Sequence, residues 1–169
     1  MIMTGERKYV RQVVAYANYF KDFKKTLSKE TLQKIYQIFI YIMTQEQVPV
    51  KFLKSITGVV GLYEIRVEES GNIYRIFCCM DEGRLVILFN GFQKKTQKTP
   101  TEEIERAKRI MNEYFAQKNK KEEWNMNNDE LKAIGCTSIE ELIAEDFGTL
   151  GTVERNAFEA SCEAFIIGE

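Results

Sequence analysis

Three strand-like runs follow one another at residues 59–67, 73–80 and 84–92, and only short turns separate them. The turns at 69–72 and 81–83 are too short for the long crossover that a parallel pair of strands requires. The three runs are therefore predicted to form an antiparallel sheet of two successive hairpins. The third run is apolar on both alternating faces, which predicts a central position in the sheet.

Helices are predicted both before and after these strands along the chain. Residues 10–17 read as a further short strand, residues 18–27 change to helical spacing, and Ser28 offers an N-cap for a second helix that ends at 45–49. Thr99, Pro100 and Glu102 form a capping-box pattern that predicts the start of a third helix. The chain is therefore predicted to belong to the α+β class, with an antiparallel helix pair before the sheet and one helix after it.

Charge divides the chain near residue 121. Residues 1–121 contain 22 Lys and Arg against 13 Asp and Glu, whereas residues 122–169 contain 2 against 12. A stretch of about 120 residues can bury a full core, but about 45 residues usually cannot do so alone. We therefore expect one basic domain, residues 1–121, and one dependent acidic segment, residues 122–169, that packs against it.

The acidic segment is predicted to be helical. Thr137 and Glu140 fit a capping box for a helix over 138–146, and Thr152 can cap a final helix after a break at 148–151. The expected apolar side of that final helix consists of Val153, Ala157, Phe158, Cys162, Phe165 and Ile166. Residues 117–123 form a charged run that is typical of a linker.

Composition excludes several classes of function. The chain has no histidine, which excludes Ser-His-Asp and Cys-His catalysis and histidine-ligated metal sites. Its four cysteines show no CxxC spacing and are expected to be reduced thiols in the cytoplasm, with the adjacent Cys78 and Cys79 on opposite faces of a strand. The longest apolar run, residues 35–43, is too short to span a bilayer, and no apolar secretory signal is found at the N-terminus.

Cationic and aromatic side chains are concentrated around the predicted sheet. The cations are Arg66, Arg75, Lys94, Lys95 and Lys98, and the rings that could stack beside them are Tyr63 and Phe92. Such a mixture suits single-stranded RNA, because cations neutralise phosphates and rings stack on unpaired bases. A lysine of lowered pKa could also accept a 2′-OH proton while arginines stabilise a pentavalent phosphate.

The same residues fit other interpretations. Lysines at 94–98 before a helix are also typical of a solvated loop. Glu64 and Arg66 share strand parity and fit a structural ion pair, and Tyr63, Tyr74 and Phe77 are also typical of a core.

Residues 62–109 resemble the HigB branch of the RelE-like toxin superfamily. The resemblance rests on LYEIRV, YRIF and GFQKKTQKTP followed by EEIERAKR, and with the preceding helices it extends over residues 8–118. It implies a RelE-like fold with a curved antiparallel sheet, and ribosome-dependent mRNA endonuclease activity that needs no metal or other cofactor. The mRNA 2′-OH would attack the adjacent phosphate, without a covalent enzyme intermediate.

The resemblance also assigns roles by motif position. Arg66 and Arg75 match the sheet arginines and would bind the phosphate, and Lys94 and Lys95 match paired lysines that would be catalytic or would contact RNA. The further expected RNA contacts are Lys54, Tyr63, Phe92 and Lys98. Asn90 departs from the family, which often has histidine at this position, so an imidazole acid/base role is lost.

The acidic segment has a resemblance of its own. Residues 148–169 resemble the segment before the helix-turn-helix of Xre-type antitoxins of the HigA class, and Met126 resembles a native antitoxin start. The chain is therefore interpreted as a type II toxin joined to an antitoxin fragment, residues 126–169, without its DNA-binding domain. The residues expected to contact and mask the toxin body, in the same chain or by exchange in a dimer, are Glu154, Phe158, Phe165 and Ile166.

Two alternatives stay open. The chain fits a single protein with a helical C-terminal extension, and it also fits a non-catalytic RNA- or protein-binding module that has this fold without the chemistry. The partners expected for the toxin are mRNA, the ribosome and an antitoxin, and no membrane.

Overall fold

The computed structural model describes residues 7–82, 85–120 and 128–169. Its elements, in chain order, are β1 (Gln12–Tyr16), α1 (Tyr19–Lys24), α2 (Lys29–Thr44), β2 (Leu53–Ser55), β3 (Leu62–Glu69), β4 (Asn72–Asp81), β5 (Leu85–Lys94), α3 (Thr101–Asn119), α4 (Asn128–Ala133), β6 (Cys136–Ser138), α5 (Ile139–Phe147) and α6 (Val153–Gly168). The predicted α+β class is confirmed, and the arrangement is consistent with a RelE-like fold.

Residues 117–119 continue α3 rather than forming a linker. Met126, the rest of the predicted linker beyond Lys120 and the end of the turn at 81–83 lie outside the described residues.

The six strands form one sheet in the order β2-β3-β4-β5-β1-β6. The two predicted hairpins are confirmed, since β3–β4 and β4–β5 are antiparallel, and β5 lies inside the sheet between β4 and β1. The sheet is mostly antiparallel, as predicted, but β1, which the sequence left without a partner, runs parallel to β5 with Val14 opposite Ile87. The helix pair and the hairpins between these strands provide the long connection that parallel pairing needs.

The acidic segment contributes a strand as well as helices. The three residues of β6 pair antiparallel with β1, so that Cys136 lies opposite Tyr16. This pairing covers the edge of β1, whose unpaired backbone groups would otherwise be open to other strands. The expectation of a purely helical segment is therefore wrong at residues 136–138.

The sheet separates two apolar layers. On the back face, which includes Ile65, Ile76 and Leu88, the buried residues of α1, α2, α5 and α6 form one cluster. On the front face, which includes Leu62 and Phe77, the buried residues of α3 and α4 form the other. Cys78 belongs to the back layer and Cys79 to the front layer, as predicted for adjacent residues of a strand, and all four cysteines are free and buried.

Two helix starts differ from their predicted capping boxes. The confirmed N-caps are Ser28 and Thr152. Thr99 does not cap α3, because Pro100 keeps an extended ψ of 133° and the helix begins only after it. Thr137 does not cap α5, because it is paired within β6, and the hydroxyl of Ser138 accepts the bond from the Glu141 amide instead.

The acidic segment completes the core of the back face. The rings of Phe147 and Phe158 stack with centroids 4.6 Å apart, and both contact the buried ring of Tyr36 edge-on. Val153 was expected on the apolar side of α6 but is 88% exposed. It precedes Phe158 by five residues, a separation that places the two side chains on different sides of a helix. None of the described helices combines the length and apolar character needed to cross a membrane.

Ion pairs join the acidic segment to the basic body. The pairs are Arg7–Glu159 at 2.6 Å, Arg7–Glu163 at 3.0 Å, Lys24–Asp146 at 3.0 Å, Lys29–Glu154 and Lys51–Glu169. The division of charge seen in the sequence is therefore reflected in contacts between oppositely charged groups.

Candidate nucleic-acid interface

The front face of the sheet is covered by α3 along only part of its length. At one end of α3, Tyr114 and Lys118 contact Asp81, each at 2.7 Å. At the other end, the Nδ2 of the buried Asn90 donates to a carboxylate oxygen of Glu103 at 3.1 Å. Beyond Asn90, the front face carries polar and aromatic side chains in place of a helix.

We call this part of the front face the arginine patch; it consists of Glu64, Arg66, Arg75, Phe92 and Lys94. Three adjacent strands supply it, because Arg66 lies directly opposite Arg75, and Arg75 lies directly opposite Phe92. Lys94 follows two residues after Phe92 on the same side of β5. The predicted grouping of the two arginines with Phe92 and Lys94 on one face is therefore found in the structure.

A bulge in β5 makes this grouping possible. Cys78 pairs with Leu88 but Ile76 pairs with Gly91, so β5 has one more residue than β4 across this step. The extra residue reverses the side-chain alternation of β5, and Phe92 consequently faces the front layer. Gly91 faces the back, where an added Cβ would overlap the ring of Phe23. This close approach of α1 explains the need for glycine beside the bulge.

The two arginines differ in exposure. The side chain of Arg66 is 29% exposed, whereas that of Arg75 is 4% exposed and donates to the backbone carbonyl of Tyr74 at 3.0 Å. Burial and the neighbouring charge of Arg66 lower the pKa of Arg75 from its ordinary value, against the opposing influence of Glu64. Arg66 is therefore the guanidinium that solvent, or a ligand, reaches first.

Phe92 provides a partly exposed ring at the edge of this patch. Its ring stacks on the buried ring of Phe77, with centroids 5.7 Å apart and planes inclined by 24°. The stacking fixes the orientation of the Phe92 ring and leaves part of it accessible. A planar base is the kind of ligand that such a ring can accept.

The predicted lysines lie at different positions around the arginine patch and differ in exposure. Lys94 is half-buried within the patch, and Lys54 is exposed on β2 directly opposite Glu64, which places it on the front face. Lys95 and Lys98 are exposed in the connection between β5 and α3. The exposed lysines can follow a phosphate backbone, whereas Lys94 is held close to the arginines.

Tyr63 does not belong to the arginine patch. It lies on β3 at odd parity and packs against the back layer, whereas Arg66 lies at even parity on the front. Because successive side chains of a strand point to opposite faces, the expectation that Tyr63 and Phe92 share one stacking surface is wrong.

The four predicted contact residues of the acidic segment lie on the back face. The ring of Phe165 packs against Phe52 with centroids 5.8 Å apart, and Phe158 and Ile166 pack against the same back layer. Glu154 forms its ion pair with Lys29. These residues contact the body from the face opposite Arg66 and Arg75, so none of the four covers the arginine patch.

Glu64 is the member of the patch that the sequence did not single out as functional. Its carboxylate lies 3.8 Å from Nε of Arg66 and 3.7 Å from Nε of Arg75, so the alternative of an ion pair with Arg66 is confirmed as a loose contact. Its even parity beside Arg66 was the available signal. Together, two guanidinium groups, one counter-ion and one ring can bind a phosphate next to a stacked base.

Comparison with known proteins assigns this chain to a family. The family model described as phage derived protein Gp49-like (DUF891) matches residues 19–112, which include the arginine patch. No curated protein matches the chain. The Gp49-like family is toxin-like in the broad sense. Since its model covers more than half of the 169 residues, the chain belongs to the phage-derived Gp49-like family.

Proposed function

We propose that this protein is the toxin of a type II toxin–antitoxin system, a metal-independent endonuclease that cuts mRNA on ribosomes in the cytoplasm. The observation that carries the proposal is the open arginine patch, where Arg66, Arg75 and Phe92 lie side by side on three adjacent strands. Membership of a toxin-like family supports the same function.

The proposed reaction is a transfer of the phosphate within the RNA. The 2′-oxygen attacks the adjacent phosphorus and loses its proton to a base, while the bond from phosphorus to the 5′-oxygen breaks and that oxygen gains a proton. The products are a 2′,3′-cyclic phosphate and a 5′-hydroxyl. Lys94 or Lys95 is the proposed base, because the chain has no histidine.

Arg66 has the main role in stabilising charge in this proposal. Its partly exposed guanidinium can donate two bonds to the phosphate oxygens as negative charge develops. Arg75 lies beneath it and contributes its charge from the buried side. Phe92 stacks on the neighbouring base, and the expected contacts of Lys54, Lys95 and Lys98 are with the RNA backbone.

The acidic segment is proposed to be the neutralising, antitoxin-like part of the chain. Its contacts with α2 are on the back face, so it would act by adding bulk that keeps the body out of the ribosome, and not by filling the arginine patch. The same contacts, formed between two copies that exchange this segment, would give a dimer, since they join separate surfaces of body and segment.

Primer extension on translated mRNA tests the nuclease proposal. The chain whose acidic segment is loosened by Phe165→Ala and Ile166→Ala, two residues that pack against the back layer, should produce 5′ ends at defined positions within the mRNA of a purified translation system, and the unchanged chain should produce fewer. In the loosened chain, Arg66→Ala should reduce their rate of formation about 100-fold, because it removes a donor to the charge of the transition state. Arg109→Ala, which removes an exposed arginine from α3, is the matched control and should leave the rate of the loosened chain unchanged.

A failed cut would favour the second candidate function, a non-catalytic RNA-binding module. Asn90 favours this alternative, since an amide cannot exchange a proton and its Nδ2 is engaged by Glu103. If the chain binds RNA but leaves no defined 5′ ends even when its acidic segment is loosened, the nuclease proposal is wrong. The same follows if Arg66→Ala cuts as fast as Arg109→Ala.

A further inference from the structure

Glu64 lies between two positive charges that face each other across neighbouring strands. Arg66 on β3 and Arg75 on β4 are direct cross-strand partners, and like charges in this position destabilise a sheet. The carboxylate of Glu64 is the acidic group in ion-pair contact with both, at 3.8 Å and 3.7 Å. It therefore acts as a shared counter-ion for the pair.

The contacts of this counter-ion leave bonding capacity unused. Glu64 is 6% exposed and Arg75 is 3% exposed, yet Oε2 of Glu64 and Nε of Arg75 have no hydrogen-bond partner. Charged atoms that are buried without a hydrogen bond carry a large desolvation cost. These two atoms lie next to the partly exposed Arg66 and Phe92. An anion bound there could bring Glu64 and Arg75 into hydrogen-bond distance.

We propose that Glu64 is a positioning residue, which holds Arg66 and Arg75 side by side so that the two guanidinium groups meet the same phosphate. This inference rests on the proposed function of the arginine patch as an RNA-cutting site. When the phosphate binds to Arg66, its negative charge replaces part of the attraction of Glu64 for Arg66. Glu64 then closes on Arg75 and keeps the second guanidinium beneath the phosphate.

Glu68 offers a matched control for this role. It lies on the same strand and at the same parity as Glu64, and it also influences the charge of Arg75, but less strongly than Glu64 does. It is exposed to solvent, so it does not share the buried position of Glu64 between the arginines. Glu64→Gln and Glu68→Gln therefore remove the same charge from the same edge of the patch.

The test follows the Nε–Hε signals of Arg66 and Arg75 by NMR while inorganic phosphate is added to the full chain. In the unchanged protein and in Glu68→Gln, both signals should shift with one shared dissociation constant. In Glu64→Gln, the two signals should no longer shift together. Both signals shifting together in Glu64→Gln would overturn the inference.

Kinetics give a second readout that a merely structural role would not change. In the chain loosened by Phe165→Ala and Ile166→Ala, Glu64→Gln should lower kcat for mRNA cutting about 100-fold, as expected for misplaced catalytic groups, with KM unchanged or lower because a negative charge is lost near the RNA. Glu68→Gln should keep its kcat. Equal kcat values for the two variants would contradict the positioning role.

Glu64→Asp keeps the test decisive if Glu64→Gln does not fold. It retains the charge but withdraws the carboxylate by one methylene, so it should lower kcat and give the two arginine signals different dissociation constants for phosphate. A Glu64→Asp chain that keeps both its kcat and the shared constant would overturn the inference. Failure of the proposed function is distinguishable, because phosphate binding is measured without any RNA. A chain that cuts no mRNA but shows the paired arginine response refutes the nuclease and supports the role of Glu64.

Discussion

Asp81 shows how one buried side chain fixes a helix to the sheet. Its two carboxylate oxygens accept hydrogen bonds from Lys118 and from the hydroxyl of Tyr114, each at 2.7 Å. Burial acts to raise the pKa of Asp81, but these hydrogen bonds outweigh it, so the pKa lies below the ordinary value. The carboxylate therefore stabilises the folded protein in its charged form.

This carboxylate predicts a pH-dependent contribution to stability. A depressed pKa stabilises the folded state above the ordinary carboxyl pKa, and the contribution is lost as the pH falls through the lower, folded value. Asp81→Asn should therefore cost about 3 kcal/mol of unfolding free energy at pH 7, because Lys118 loses its main buried partner. The cost should be smaller at pH 3.5, and urea unfolding at pH 7 and at pH 3.5 measures the two values.

Glu82→Gln is the control for this prediction. Its side chain is 70% exposed and lies 3.7 Å from the same lysine, so its loss should change the unfolding free energy by less than about 1 kcal/mol. An equal cost of Asp81→Asn at pH 7 and pH 3.5 would show that its charge does not contribute.

Residue parity explains which parts of the patch the sequence could predict. Arg66 and Arg75 could be grouped because a short turn pairs their strands and fixes their register. The same parity argument separates Tyr63 from Arg66. The position of Phe92 depends on the bulge in β5, and the available signal for that bulge was Gly91, an isolated glycine within the strand run.

At the scale of elements, the local connections were predictable and the distant pairings were not. The hairpins of β3, β4 and β5 follow from short turns, and α2 follows from its apolar spacing and its cap. The parallel pairing of β1 with β5 joins residues some seventy positions apart, and no local pattern specifies it. The strands β2 and β6 have three residues each, too few to show an alternation.

The acidic segment illustrates how two short elements can depend on each other. The sequence predicts Thr137 as the cap of α5, but pairing of β6 with β1 keeps Thr137 in the strand and leaves Ser138 to cap the helix. The choice is made by a long-range contact, which moves the start of α5 by one residue. Capping patterns therefore predict that a helix begins, but its first residue depends on the neighbouring strand.

At the scale of the whole molecule, the acidic segment contributes to both apolar layers, with α5 and α6 in the back layer and α4 in the front layer. Its buried residues Ile139, Leu142 and Phe158 belong to the same cluster as α2. Its acidic groups pair with cations of the body, including Lys24 and Arg7. The proposed neutralisation would therefore act on what can approach the body, since α5 and α6 pack on the face opposite the arginine patch.

Loosening the end of α6 in the full chain tests this neutralising role. Phe165 packs against Tyr41 and Phe52, and Lys34 lies 4.4 Å from its ring centroid. The double variant Phe165→Ala, Ile166→Ala should free this end of the segment and make the protein inhibit growth on expression. Hydrogen exchange in α6 reports whether the helix end has been released.

Ile167→Ala controls for a change in helix composition, since Ile167 is 80% exposed and should have no effect on growth or exchange. Inhibition should disappear when Arg66→Ala is added to the double variant. A released α6 in a chain that is still harmless to growth would contradict the neutralising role. Inhibition that persists without Arg66 would show that the arginine patch is not the source of the inhibition.

The central claim is that the arginine patch cuts RNA through attack by the 2′-OH, and a single 2′-deoxy substitution tests it most directly. The site of cutting is first located on a translated all-ribose mRNA, and the nucleotide on its 5′ side is then replaced by its 2′-deoxy form. The account predicts a 2′,3′-cyclic phosphate in the first mRNA, detected by mass spectrometry of the cut fragment, and no cut at that position in the second. Cutting that persists at the deoxy nucleotide would contradict it.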